Sequence, residues 1–134
     1  DVGTGSGILM IAAAKLGAGT VCGVDNDDVA VTVAENNLLA NHIDSYRLST
    51  GNLVDDVRQT FNMVAANILA EVILVLLPDV KAVLKENGLF VCSGIIAAKT
   101  EVVVSGLKEK GFAVVEVIEK EGWVAIAARN AATG

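Results

Sequence analysis

Apolar residues come in short blocks broken by glycine, asparagine and acids, and the blocks alternate between two periods. Residues 1–2 read as the stub of a strand. Residues 6–16, SGILMIAAAKL, read as a buried helix that Gly17 ends. Residues 20–25, TVCGVD, form a short apolar run that stops at an acid, which predicts a buried strand. A helix is predicted over 28–41, capped by Asp27 or Asp28, because Val29, Val33, Ala34 and Leu38 recur at helical spacing. Residues 46–49 make a weaker strand, and the polar stretch 50–60 reads as a loop. Residues 61–66, FNMVAA, predict a strand ending at Asn67. A helix is predicted over 68–84, interrupted or restarted at Pro78, since proline suits a first turn better than a helix interior. Asn87-Gly88 reads as a turn and 89–93 as another buried strand. An amphipathic helix over 98–110 is closed by Gly111. Two apolar runs, 112–119 and 123–128, flank Lys120-Glu121-Gly122 and predict a hairpin. Residues 131–134 read as a frayed tail.

Strands and helices thus alternate, and the chain closes on a hairpin. That order predicts an α/β fold: a Rossmann-like, doubly wound, mostly parallel sheet with a C-terminal antiparallel hairpin. The composition agrees. Of the 134 residues, 53% are hydrophobic and only 4% aromatic, and the apolar residues lean towards Val, Ile, Leu and Ala. Strands buried on both faces need that mixture. The length fits one domain spanning 1–134.

A net charge of −6 argues against direct nucleic-acid binding, which calls for a basic stripe, and suits a basic protein or a small molecule. No apolar run approaches the roughly 18 residues of a membrane span, and no signal peptide is visible. Cys22 and Cys92 lie within apolar runs and are expected as buried free thiols of a cytoplasmic protein. With one histidine and no CxxC, a metal site is not expected.

In a doubly wound sheet, ligands sit beyond the carboxyl ends of the strands. The informative residues fall there. Asp1-Val2-Gly3-Thr4-Gly5-Ser6-Gly7 places Gly3, Gly5 and Gly7 between a strand and a helix, where the backbone can turn sharply and lie against a ligand. Asp25 ends the second strand, and a carboxylate there can accept both vicinal hydroxyls of a ribose. Asp27 and Asp28 are free to cap the helix instead. A dinucleotide fingerprint would need a third glycine at position 8, and that residue is Ile8. Asn52 follows the third strand and is expected near the adenine or in a simple turn.

The D-x-G-x-G-x-G pattern resembles the glycine loop of class I S-adenosylmethionine-dependent methyltransferases, and the chain is similar to that superfamily from end to end. Asn67-Ile68-Leu69-Ala70 has no prolines and no aromatic, so it is unlike the tetrad of glutamine and adenine methyltransferases. AANILAEV, together with DVGTGSGILMIAAAKLGA, GVDND, SGI at 93–95 and EGWVAI at 121–126, resembles the PrmA family, which methylates a large-subunit ribosomal protein. The resemblance implies S-adenosylmethionine as cofactor, contacts at Gly3, Asp25 and Asn67, and a catalytic position for Asn67 facing the transferable methyl; by their places in the glycine loop and after the third strand, Asp1, Gly5, Gly7 and Asn52 are expected to line the cofactor site as well. It implies that the last strand inserts antiparallel into the sheet. It also implies a Phe-Gly-Thr-Gly-type loop upstream and a separate N-terminal substrate domain, neither within 1–134, so the chain is expected to be N-terminally truncated. The partner implied is a basic ribosomal protein, methylated on lysine side chains or its N-terminus. Thr4, where many relatives carry cysteine, reads as a small-residue change of little consequence.

No general base stands out. His42 reads as a solvated helix terminus, Glu71 as a surface charge one turn after Asn67, and Trp123 as core or rim of the hairpin. Three other readings compete: a small-molecule methyltransferase, a non-catalytic cofactor-binding module and, more distantly, a nicotinamide oxidoreductase.

Overall fold

The structure is a computed structural model that describes residues 1–131. Residues 132–134 of the expected tail lie outside the described residues. The chain divides into two compact units, 1–56 and 57 onward.

In the first unit, Val2 bridges Val24 in parallel, and helix α1 (Ile8–Lys15) follows the glycine loop. Strand β1 (Val21–Asp25) then leads to helix α2 (Asp28–Ala40) and strand β2 (Tyr46–Thr50). β1 and β2 pair in parallel, with Val21 opposite Tyr46 and Asp25 opposite Thr50. Met10, Val21 and Leu38 form the core, with Ile11, Ile43, Tyr46 and Leu48 packed against it. Gly23 has no side chain because the Met10 sulfur occupies that space.

Two expectations need correction here. The α1 helix is not buried throughout: Met10 is its buried residue, while Ile8 and Leu16 at its two ends are exposed. An eight-residue helix on a two-stranded sheet turns only one stripe inward. In α2, Ala34 and Leu38 are buried as expected, but Val29 and Val33 face outward. The cap is Asp27, whose carboxylate accepts the Val29 N–H at 2.9 Å.

The polar stretch after β2 is a loop, as the sequence predicts. The segment 51–60 contains turns and no helix, and Val54 is its buried residue.

The second unit runs through β3 (Phe61–Asn67), α3 (Ala70–Val83), β4 (Leu84–Ile96), a 3₁₀ turn (Ala97–Lys99), α4 (Thr100–Glu109), β5 (Phe112–Lys120) and β6 (Trp123–Asn130). Its strand order is β3-β4-β6-β5. β3 and β4 are parallel, while β6 lies antiparallel between β4 and β5. The last strand therefore inserts antiparallel, as the resemblance implied. Glu121 (φ 53°) and Gly122 (φ 83°) form the hairpin turn. Two successive positive φ values match the right-handed twist of the flanking strands. Phe90, Cys92, Ile126 and Ala128 on the sheet, with Ile73, Leu76, Leu77 and Val80 on α3 and Val103 and Leu107 on α4, are fully buried.

Pro78 does not interrupt α3. The helix is continuous over 14 residues with proline inside it. An internal proline costs about 3 kcal/mol. Burial of Leu76, Leu77, Val80 and Val83 on both sides of it outweighs that cost, at roughly 1.5–3 kcal/mol per large side chain. Pro78 itself is exposed.

The expected turn at Asn87-Gly88 lies within β4. Leu84 pairs with Phe61, and the next pair is Leu89 with Met63, so residues between them bulge from the ladder. Asn87 has φ 62°. The bulge is held from β6: Asn130, buried, donates to the carbonyls of Leu84 (3.1 Å) and Lys85 (3.3 Å), and Arg129 donates to that of Asn87 (2.7 Å).

Neither cysteine forms a disulfide; Cys92 is fully buried and Cys22 half-buried. Burial pushes the Cys92 thiol up to about 12 from an ordinary value of 9.0. Its neutral form is the one the fold accommodates, so this contribution to stability is intact below pH 9.0 and is lost as pH rises towards about 12. Alkylation with iodoacetamide at pH 8, followed by peptide mass spectrometry, is expected to label Cys22 well before Cys92.

Candidate functional site

The glycine loop and the acid of β1 meet. The Gly5 N–H donates to Asp25 Oδ2 at 2.9 Å, and the Asp27 N–H donates to Asp25 Oδ1 at 3.0 Å. Asp25 thus braces the loop on one side and the start of α2 on the other. Each carboxylate oxygen has two lone pairs, so one on each oxygen remains for a ligand diol.

The loop is pinned to β1 by its backbone. Gly3 and Thr4 both donate to the Val24 carbonyl, at 2.8 and 3.0 Å, and Gly7 donates to the Thr4 carbonyl at 2.9 Å. All three loop glycines have positive φ (71°, 55° and 81°). They differ in what a side chain would meet. At Gly5 a Cβ would meet nothing within 4 Å, so open space lies beside the backbone. At Gly7 it would lie 3.1 Å from the Ala34 Cβ. Gly7 is therefore needed for the close approach of α1 and α2, a reason found within the fold rather than at a ligand.

Asp1 sits at the start of the loop. Its Oδ2 accepts the Thr4 hydroxyl at 2.8 Å. Its Oδ1 is buried and has no hydrogen-bond partner among the described residues. Thr4 is itself buried. Its hydroxyl bonds the Asp1 carboxylate, a contact that residue size alone does not disclose.

Asn52 lies on the loop after β2. The Gly51 N–H donates to the Asp25 carbonyl at 2.9 Å, which anchors the start of that loop beside the acid. The Asn52 side-chain amide donates to Asp55 Oδ2 at 3.2 Å, and the Asn52 backbone carbonyl accepts the Asp55 N–H at 3.1 Å, so a local turn holds it.

Asn67 ends β3 in the second unit, opposite Ser93, and is exposed. The Ile68 N–H donates to the Ser93 carbonyl at 3.2 Å. Beside it, sequence reasoning missed a residue. Gly94 has φ 78°, and a Cβ there would lie 2.6 Å from Asn67 Oδ1 and 3.0 Å from the Ile68 carbonyl. A lone glycine inside a strand pattern is the signal of such a close approach.

The candidates for a base fare as expected. His42 follows α2 at φ 60° and is exposed. Glu71 pairs with Lys99 at 3.5 Å on the surface. A hydrogen bond from its own backbone N–H, aided by Lys99, holds its carboxyl below the usual range. Trp123 is exposed, at the rim of the hairpin. No cluster that could hold a metal ion occurs among the described residues, and no helix among them is long and apolar enough to cross a membrane.

Comparison with known proteins identifies the family. The family described as "Ribosomal protein L11 methyltransferase (PrmA)" matches residues 1–131. The ribosomal protein L11 methyltransferase of Dictyoglomus turgidum is 44% identical over 130 residues, covering 97% of this chain and 43% of the relative. That of Bacillus cereus is 48% identical over 132 residues, covering 98% and 42%. The chain thus spans less than half the length of these curated relatives. The crystal structure of ribosomal protein L11 methylase from Lactobacillus delbrueckii subsp. bulgaricus superposes with a TM-score of 0.95 at 38% identity, covering 98% of this chain and 69% of that one.

Proposed function

This chain belongs to the ribosomal protein L11 methyltransferase (PrmA) family, and on that premise we propose that it is the cofactor-binding, catalytic part of an enzyme that methylates amino groups of a large-subunit ribosomal protein. The observation that carries the reading is the bond from the Gly5 N–H to Asp25 at 2.9 Å. It ties the glycine bend to a carboxylate that still has acceptor capacity for a ribose.

When bound, S-adenosylmethionine supplies an activated methyl group on its sulfonium. The chain's residues bind and orient. Asp25 accepts the ribose hydroxyls on its two remaining lone pairs. The open side of Gly5 admits the nucleoside against the backbone. Gly3 shapes the bend, Gly7 closes α1 on α2, and Asn52 stands on the adenine side. Asp1 Oδ1, buried without a partner, is an acceptor in need of a donor.

The Asn67 side-chain carbonyl orients the attacking amine. It is too weak a base to keep the proton, and a lysine must lose one against an ordinary pKa of about 10.4. No general base stands out among the described residues: Glu71 is ion-paired with Lys99, which weakens it as a base, and His42 is exposed after α2. The contribution of these residues is therefore positioning. The net charge of −6 suits a basic ribosomal protein in the cytoplasm.

The test is to incubate the intact enzyme with S-adenosylmethionine and large-subunit ribosomal proteins, then read mass increments of one methyl. Asn67→Ala is expected to lower turnover about tenfold and to leave cofactor affinity within about twofold. Methylation confined to small molecules, or equal turnover in the variant, would overturn the substrate or the role of Asn67.

A further inference from the structure

Thr4 is held at every polar atom. Its N–H bonds the Val24 carbonyl at 3.0 Å, its carbonyl accepts the Gly7 N–H at 2.9 Å, and its hydroxyl donates to Asp1 Oδ2 at 2.8 Å. The side chain is 5% exposed. An ionised carboxylate only accepts, so the hydroxyl proton must point at Asp1. That bond occupies Oδ2 and fixes the rotation of the carboxylate. The other oxygen, Oδ1, is then left buried with no partner among the described residues. Leaving a buried carboxylate oxygen unpaired is costly, and a charged donor satisfies it best.

We propose that Thr4 is a positioning residue: it locks Asp1 so that Oδ1 is presented to the α-ammonium of the cofactor's amino-acid tail. This rests on the methyl-donor reading above. The same loop braces Asp25 through Gly5, so one short segment presents an acceptor for a diol and an acceptor for an ammonium. S-adenosylmethionine carries both groups. Thr4 touches neither; it acts through Asp1. The role is specific to a hydroxyl, because valine has the same shape and no donor. With valine, Oδ2 loses its partner and the carboxylate is free to rotate away.

The experiment measures binding of two probes by calorimetry: S-adenosylhomocysteine and its analogue lacking the α-amino group. The native protein is expected to prefer the first by about tenfold or more, the usual size for a charge-assisted hydrogen bond. Thr4→Val is expected to lose most of that preference while binding the deaminated probe nearly as well as the native protein does. Thr4→Ser, which keeps the hydroxyl, should retain the preference, and Asp1→Asn should lose it. If Thr4→Val fails to fold, Thr4→Ala replaces it in the comparison. Equal loss of both probes would make Thr4 merely structural and overturn the proposal. So would a full preference in the valine variant, or no preference in the native protein. Failure of the native protein to bind either probe would instead overturn the methyl-donor reading itself, and Asp25→Ala separates the two cases because it weakens both probes alike.

Discussion

Asp25→Ala is expected to weaken binding of S-adenosylhomocysteine by about 1–3 kcal/mol, the cost of removing charge-assisted hydrogen bonds, and to lower the melting temperature as well. Both effects follow from the double use of this carboxylate. A ribose contact alone would leave the unliganded protein unchanged. Here Oδ2 holds the Gly5 N–H and Oδ1 holds the Asp27 N–H. Truncation releases the centre of the glycine loop and the residue that caps α2 at the same moment. Asp25→Asn separates the contributions. Its single carbonyl oxygen can keep one of the two backbone bonds, so it should recover part of the melting temperature while affinity stays low. Calorimetry and thermal unfolding on the three proteins check this. An alanine variant with native affinity would remove Asp25 from the ribose site and, with it, the main support for the proposed function.

The meeting of Asp25 with the glycine loop was legible because both signals are local. Alternating glycines between a strand and a helix, and an acid at the end of the next strand, each follow from a few consecutive residues. Topology then brings the two strand ends side by side, as the Val2–Val24 bridge shows. The hairpin was legible for the same reason, since its turn needs two residues of positive φ and glycine supplies one.

What escaped the sequence depends on partners far along the chain. Nothing near Pro78 announces that the leucines beside it will be buried deeply enough to carry a helix through a proline. The bulge in β4 is held by Asn130 and Arg129, more than forty residues downstream, and an asparagine near a strand end gives no hint of such a role. Val29 and Val33 fit the helical period, yet periodicity cannot say how wide a stripe the neighbouring sheet will cover. Thr4 looked inert because residue size was weighed and its hydroxyl was not.

Gly94→Ala tests whether the close approach at the end of β3 sets the Asn67 side chain. The expected result is a loss of about 2–3 kcal/mol in stability, together with a fall in turnover at least as large as that of Asn67→Ala. Two costs combine. At φ 78° an alanine sits in the left-handed region, which disfavours a Cβ by about 1–2 kcal/mol. The new methyl would also lie 2.6 Å from Asn67 Oδ1 and 3.0 Å from the Ile68 carbonyl. The Asn67 side chain is exposed and can swing aside, whereas the Ile68 carbonyl is backbone and moves only with the chain. The strain therefore falls on the Asn67 amide, which turns away from the position proposed to orient an amine. Because both substitutions act on one group, the double variant should lose little more turnover than either alone. Chemical denaturation and single-turnover methylation on the four proteins decide it. Additive losses in turnover would separate Gly94 from Asn67 and leave the glycine a purely structural bend.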